Sequence, residues 1–147
     1  MNVYKYSGSG LADIYLTNGF TLVDTPYGPG VRIEDVDGLH IAIARNIVRQ
    51  KTPMTGQQLR FLRKEQELTQ TEAAAIFRVD IQNLVSWENQ GVAQIPTEAD
   101  LAMRVLYSAF RRTHLDPVKF EPNAAPRTSC TYERVGNNWS ESARIAA

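Results

Sequence analysis

The sequence predicts an α+β protein: a small N-terminal β-hairpin and helix module over residues 1–52, an all-α domain over 53–115 and a largely irregular tail over 116–147. Three observations carry this expectation. Asn18-Gly19 stands between two β-forming runs. Apolar residues switch to helical spacing from Leu39 onward. Beyond residue 116 the chain is rich in Pro, Asn and Ser and poor in aliphatics. A length of 147 residues suits one domain or two small ones.

In order along the chain, Ile14–Thr17 and Phe20–Val23 read as strands joined at Asn18-Gly19. That dipeptide suits a type I′ turn, which needs positive φ at both central residues. Pro26-Tyr27-Gly28-Pro29-Gly30 reads as a loop, Val31-Arg32-Ile33 as a short strand and Asp37-Gly38 as a turn. A helix then runs from Leu39 to Gln50 with Leu39, Ile43 and Ile47 on one stripe, and Lys51-Thr52-Pro53 ends it.

From Thr55 the pattern is helical. Thr55 is an N-cap, with Leu59, Leu62 and Leu68 facing inward. Thr69 caps a second short helix, and Glu72 three residues on completes a capping box. Ala73, Ile76 and Phe77 form its buried face. Arg78-Val79 is a tight turn, and Asp80 caps a third helix, Ile81 to Asn89, with Leu84 and Trp87 inward. After Gln90-Gly91, Thr97 caps a fourth helix, Asp100 completing the cap, which carries Leu101, Met103, Val105, Leu106 and Phe110 and ends near Arg112. In the tail, Tyr132 and Trp139 are aromatics of the kind that dock onto a domain or a partner.

Composition narrows the function classes. Sixteen basic residues balance sixteen acidic ones, which argues against a nonspecific basic coat for nucleic acid. Residues 51–112 hold eight basic and seven acidic residues, so binding to an acidic partner has to come from placement and from doubling in a dimer. No apolar run is long enough to span a bilayer, and the first residues lack a signal-peptide layout. The single cysteine, Cys130, excludes an intrachain disulfide and a Cys-rich zinc site. The cytoplasm is the expected compartment, and no cofactor or metal is expected.

Leu68–Gly91, LTQTEAAAIFRVDIQNLVSWENQG, resembles the XRE/Cro-type helix-turn-helix of lambda-type phage repressors. Ala73 and Ala74 are small, as needed for two helices to cross closely. Leu84 and Trp87 turn inward and leave the other face of the third helix free to enter a major groove. The resemblance implies a lambda-repressor-like domain that binds double-stranded DNA sequence-specifically: a dimeric repressor of an inverted-repeat operator that autoregulates its operon. On this pattern Gln82 and Ser86 read bases, with Ile81 and Val85 against thymine methyls. Thr69, Gln70, Arg78, Asn83 and Asn89 lie at the DNA backbone. Arg63 and Glu88 match a structural salt bridge, and Leu106 and Phe110 a dimer interface. Arg78 stands where the family places a small residue suited to left-handed backbone geometry, and Asp80 puts an acid at the edge of the reading helix.

The longer layout resembles MqsA-type antitoxins, whose zinc-binding N-terminal domain engages a toxin. Here the zinc cysteines are absent. That resemblance implies an alternative role as an interaction module masking a toxin-like protein partner through residues 1–50.

Other candidate sites read as structural. His40 and His114 lack companions at metal-ligand spacing. Tyr27-Gly28-Pro29-Gly30 reads as a turn rather than a phosphate loop, Glu34-Asp35…Asp37 as a solvated face and Cys130 as an inert thiol. No constellation of nucleophile, base and oxyanion donors suggests an enzyme.

Overall fold

The computed structural model describes residues 3–112 and 129–142. These residues form an α+β fold with five helices and two small sheets. They divide into two compact units, one of residues 3–43 and 129–142, the other of 44–112.

The strands belong to the first unit: β1 (Tyr4–Lys5), β2 (Ile14–Leu16), β3 (Phe20–Thr25), β4 (Gly28–Ile33), β5 (Cys130–Val135) and β6 (Asn138–Ser142). Four of them make one sheet in the order β1-β2-β5-β6. β2 runs parallel to β5, with Ile14 opposite Cys130 and Leu16 opposite Tyr132; the other two pairings are antiparallel. Ile14 and Leu16 alternate inward as a strand requires, and they pack in a core with Leu11, Leu39, Tyr132 and Trp139. The expected irregular tail is therefore corrected over 129–142: it is a hairpin that completes a sheet. Residues 116–128 and 143–147 of that tail lie outside the described residues.

The expected hairpin at Asn18-Gly19 does not form. β2 pairs with β1 and β5, whereas β3 pairs with β4 in a separate ribbon. Gly19 has a φ of +76°, but Asn18 does not take the positive φ that a type I′ turn needs. Instead the Asn18 amide bonds across to β5: Nδ2 donates to the Arg134 carbonyl at 3.2 Å, and Oδ1 accepts from the Arg134 N–H at 2.5 Å. A Cβ at Gly19 would stand 2.4 Å from the Trp139 ring. The glycine thus serves a close approach as well as a bend. Trp139 Nε1 donates to the carbonyls of Glu34 and Asp35 at 2.8 and 3.1 Å.

The true hairpin is β3–β4, turning at Pro26-Tyr27, with Thr25 opposite Gly28. Gly28-Pro29-Gly30 is strand rather than loop. A two-stranded ribbon has two free edges, so Pro29 forfeits no essential donor. Asp37-Gly38, expected as a turn, lies within helix α1 (Val36–Arg49). Asp35 sits before it at a φ of +47° and accepts from the Gly38 N–H, so the helix starts earlier than the apolar stripe suggested. Leu39, Ile43 and Ile47 are all fully buried.

The second unit holds the last turns of α1 and helices α2 (Gly56–Glu65), α3 (Gln70–Phe77), α4 (Ile81–Glu88) and α5 (Thr97–Arg111). Its core contains Met54, Leu59, Leu62, Ala73, Leu84 and Met103. Leu68 and Trp87, expected inward, are half-buried, as is Phe77. Ile76, also expected inward, is 50% exposed. α3 is two turns long and buries only the Ala73–Ala74 strip, which leaves Ile76 outside.

The α5 cap differs from expectation. Pro96 holds the N-cap position, and Asp100 does not serve the helix start. Asp100 is fully buried; it accepts from the Met54 N–H at 2.8 Å and from Arg104 Nε at 2.5 Å. Arg104 in turn donates to the carbonyls of Val48, Gln50 and Thr52. A helix leaves its last carbonyls without internal partners. Arg104 satisfies one of them, that of Val48, and the Gln50 and Thr52 carbonyls just beyond the helix, and Asp100 balances its buried charge.

Candidate nucleic-acid interface

Residues 55–91 carry most of the side chains singled out as DNA contacts, and their positions follow from local chemistry. Thr55 caps α2 in a full capping box with Gln58. Thr69 and Glu72 form the same reciprocal pair at α3: the Thr69 hydroxyl accepts from the Glu72 N–H at 3.1 Å, and the Glu72 carboxylate accepts from the Thr69 N–H at 2.9 Å. The Thr69 backbone N–H and then the Thr69 hydroxyl, bonded to the Glu72 carboxyl, hold it below its ordinary range.

Between α3 and α4 the chain reverses at Arg78, at φ 58° and ψ 45°. This is the left-handed geometry in which a glycine rests without strain. Arg78 itself is exposed. Asp80 occupies the N-cap position of α4, but its side chain makes no capping bond, correcting its expected role.

α4 is held from behind. Leu84 is fully buried and Glu88 nearly so. Glu88 takes Arg63 Nε at 2.6 Å and Arg63 Nη2 at 3.0 Å, while Arg63 Nη1 donates to the Leu68 carbonyl at 2.8 Å. Gln70 Nε2 joins the cluster, donating to Glu88 Oε1 at 3.1 Å. The start of α3 is thereby tied to the end of α4. Close packing at Gly56 adds a second constraint, since a Cβ there would stand 2.1 Å from the Trp87 carbonyl oxygen.

The outward side of α4 carries Gln82, Asn83, Ser86 and Asn89, all exposed, with Ile81 at 41% exposure and Val85 half-buried at the margin. Gln82 and Ser86 lie one turn apart on one stripe. This face has no charged side chain, and its polar groups are amides and a hydroxyl that both donate and accept.

Not every expected contact is equally available. The Thr69 N–H is already engaged by Glu72, whose charge sits where an anion would approach. Gln70 is half-buried and engaged by Glu88. Arg78 and the Thr69 hydroxyl remain at the surface. Leu106 is half-buried and Phe110 is 48% exposed, its ring beside Tyr107 and Arg111.

Among the described residues no three of His, Cys, Asp and Glu gather as a metal would need, and no helix is long and apolar enough to cross a membrane. His40 Nε2 lies 2.7 Å from the Tyr6 hydroxyl; His114 lies outside the described residues. The buried Asp100–Arg104 pair is an addition to the expected contacts, and its opposite charges four residues apart are the local signal for it.

Neither family models, nor characterised proteins, nor solved structures match the chain.

Proposed function

We propose that residues 55–91 are a helix-turn-helix that binds duplex DNA with sequence selectivity, α4 being the helix that enters the major groove. One observation carries the reading: a two-turn helix is pinned on its inner side by Leu84 and the Arg63–Glu88 pair while its outer side presents Gln82, Asn83, Ser86 and Asn89. A rigid helix with a neutral, amide-rich outer face suits reading base edges more than holding phosphates. Gln82 has the bidentate geometry for adenine, and Ile81 and Val85 offer methyl contacts to thymine. Backbone contacts fall to Arg78, Asn83 and Thr69, with Gln70 confined to a supporting role. Acting in pairs on an inverted repeat, the protein represses transcription, its own operon included.

Duplexes are selected from a random pool and titrated against scrambled ones at moderate salt. Wild type prefers the selected duplex, and Gln82→Ala loses about 1–3 kcal/mol of discrimination at one base pair. Equal affinity for selected and scrambled duplexes overturns the reading.

A second reading, an interaction module that masks a protein partner through residues 1–50, draws support from the β3–β4 ribbon. Its turn presents Tyr27 at 99% exposure and its strand Leu22 at 72%. Large exposed apolar groups on one element suit a protein contact. Co-purification with the product of an adjacent small gene, lost in Tyr27→Ala, tests it; capture that ignores Tyr27 and Leu22 argues against it.

A further inference from the structure

We propose that Arg45, Arg49 and Lys51, around the end of α1, form a second phosphate-binding stripe that grips the DNA backbone beyond the base pairs met by α4. The stripe rests on the DNA-binding reading, and its test tells the two apart.

The charges of the chain are balanced as a whole but not along its length. From Gly38 to Lys64 there is no acidic residue, while Arg45, Arg49, Lys51, Arg60, Arg63 and Lys64 all fall there. Arg63 is spent on Glu88. Arg45, Arg49 and Lys51 are exposed, and none of the three makes an ion pair among the described residues. Ala44, Ile47 and Val48 are buried, so Arg45 and Arg49, one turn apart, share the outward side of α1. Asp100, which bonds the nearby Met54 N–H, is fully buried and committed to Arg104. One cation at a helix end suits its dipole. Three cations without an acid repel one another, and a row of phosphates relieves that repulsion.

Placement selects DNA as the source of the phosphates. α4 is eight residues long. That is about 12 Å, and a major groove is about 12 Å wide. A helix of this length laid across the groove ends at its wall, where a phosphate strand runs. From that end the chain turns back beside the connection between α1 and α2. The Gln57 N–H donates to the Gly91 carbonyl at 2.9 Å, the Gly56 N–H to that of Ala93 at 3.0 Å and the Ile95 N–H to that of Met54 at 3.0 Å. Thr55 and Gln94 form a bridge between them. Lys51 stands three residues before Met54, and Arg49 and Arg45 carry the charge onward in steps of about one turn. Arg104 fastens the Val48, Gln50 and Thr52 carbonyls, so the cations ride on a fixed end of helix rather than on a loose arm.

Titration of the full chain against two duplexes tests the stripe: one long, with flanking base pairs on both sides of the selected sequence, and one trimmed to that sequence. On the long duplex the triple variant Arg45→Gln/Arg49→Gln/Lys51→Gln binds about thirty-fold more weakly than wild type at moderate salt, and the slope of log affinity against log salt falls by about two to three. The loss is the same on selected and scrambled sequences, and it vanishes on the trimmed duplex. Arg49→Gln alone loses about three-fold. Arg112→Gln makes the same change of charge at the far end of α5, about 20 Å from Pro96, and leaves affinity unchanged. Circular dichroism and melting temperature stay those of wild type, since the three side chains are exposed. A triple variant that binds the long duplex like wild type overturns the proposal. So does a loss that persists on the trimmed duplex, or one that Arg112→Gln reproduces. A protein that prefers its selected sequence but ignores the triple variant sinks the stripe and leaves the reading helix standing. Flank-dependent binding without sequence preference does the reverse, and failure to bind either duplex sinks both.

Discussion

Arg63 and Glu88 meet in a two-point ion pair, Nε to Oε2 at 2.6 Å and Nη2 to Oε1 at 3.0 Å, which fastens α2 to α4 across 25 residues of chain. The Arg63 and Glu88 side chains are 10% and 2% exposed, so neither partner falls back on water if the other is removed. Arg63→Ala or Glu88→Ala should each destabilise the fold by about 3–5 kcal/mol. The double variant should lose less than the sum, because the second truncation removes an already orphaned charge. Urea unfolding of the four proteins measures the coupling, and strict additivity contradicts it.

Arg78 is held in left-handed backbone geometry at the turn into α4. Arg78→Gly should therefore raise stability by up to about 1 kcal/mol, since a Cβ-bearing residue is strained there. It should also weaken DNA binding on every sequence and lower the slope of log affinity against log salt by about one contact. Thermal melts and salt titrations read the two effects separately. A loss of stability shows that the guanidinium, rather than the backbone, dominates at this position.

Gly56 admits no side chain. Its missing Cβ would lie 2.1 Å from the Trp87 carbonyl oxygen, and backbone cannot swing away as a flexible side chain does. Gly56→Ala should cost about 1–3 kcal/mol, against the gain an Ala normally brings to a helix. Denaturant midpoints decide the sign, and a stabilised variant refutes the close approach.

Glu72 ties stability to pH. Its carboxyl is held below the ordinary glutamate range by the Thr69 backbone N–H and then by the Thr69 hydroxyl. A folded value below the unfolded one means the stabilising contribution is complete at neutral pH and fades as pH falls through the acid range. Melting temperatures of wild type and Glu72→Ala should differ at neutral pH and converge in acid. Glu72→Gln keeps a capping acceptor without a charge, so its melting temperature should depend less on acid pH than that of wild type. Parallel curves for wild type and Glu72→Ala down to strong acid exclude the linkage.

Those features were legible in the sequence to the degree that their causes are local. Thr69-x-x-Glu72 closes a bond within four residues, and the α3 start was plain from it. Leu39, Ile43 and Ile47 share a face by helical geometry alone, and all three are buried. Where cause and effect are far apart, local sequence misleads. Asn18-Gly19 looked like a hairpin because the residues flanking it form strands, but the partners of β2 are β1 and β5, the latter more than a hundred residues on. Gly28-Pro29-Gly30 looked like a loop because proline breaks sheets; it does so only where both edges need donors. Asp100 looked like a cap, and its true partners are Met54 and Arg104. At the candidate interface the outward residues of α4 were foreseeable from spacing, whereas the engagement of Gln70 by Glu88 depended on how two helices meet.

The parallel pairing of Ile14 with Cys130 has a consequence for the order in which the protein matures on the ribosome. β2 has no parallel neighbour until more than a hundred further residues have been made. At ordinary translation speeds of about 5–20 residues per second, that wait is on the order of ten seconds. The helices of residues 44–112 are all made before β5, and low contact order favours their early folding. A nascent chain stalled before residue 129 would thus hold a finished candidate DNA-reading unit while the edge of β2 stays open, the kind of unsatisfied strand that chaperones shield and aggregation exploits.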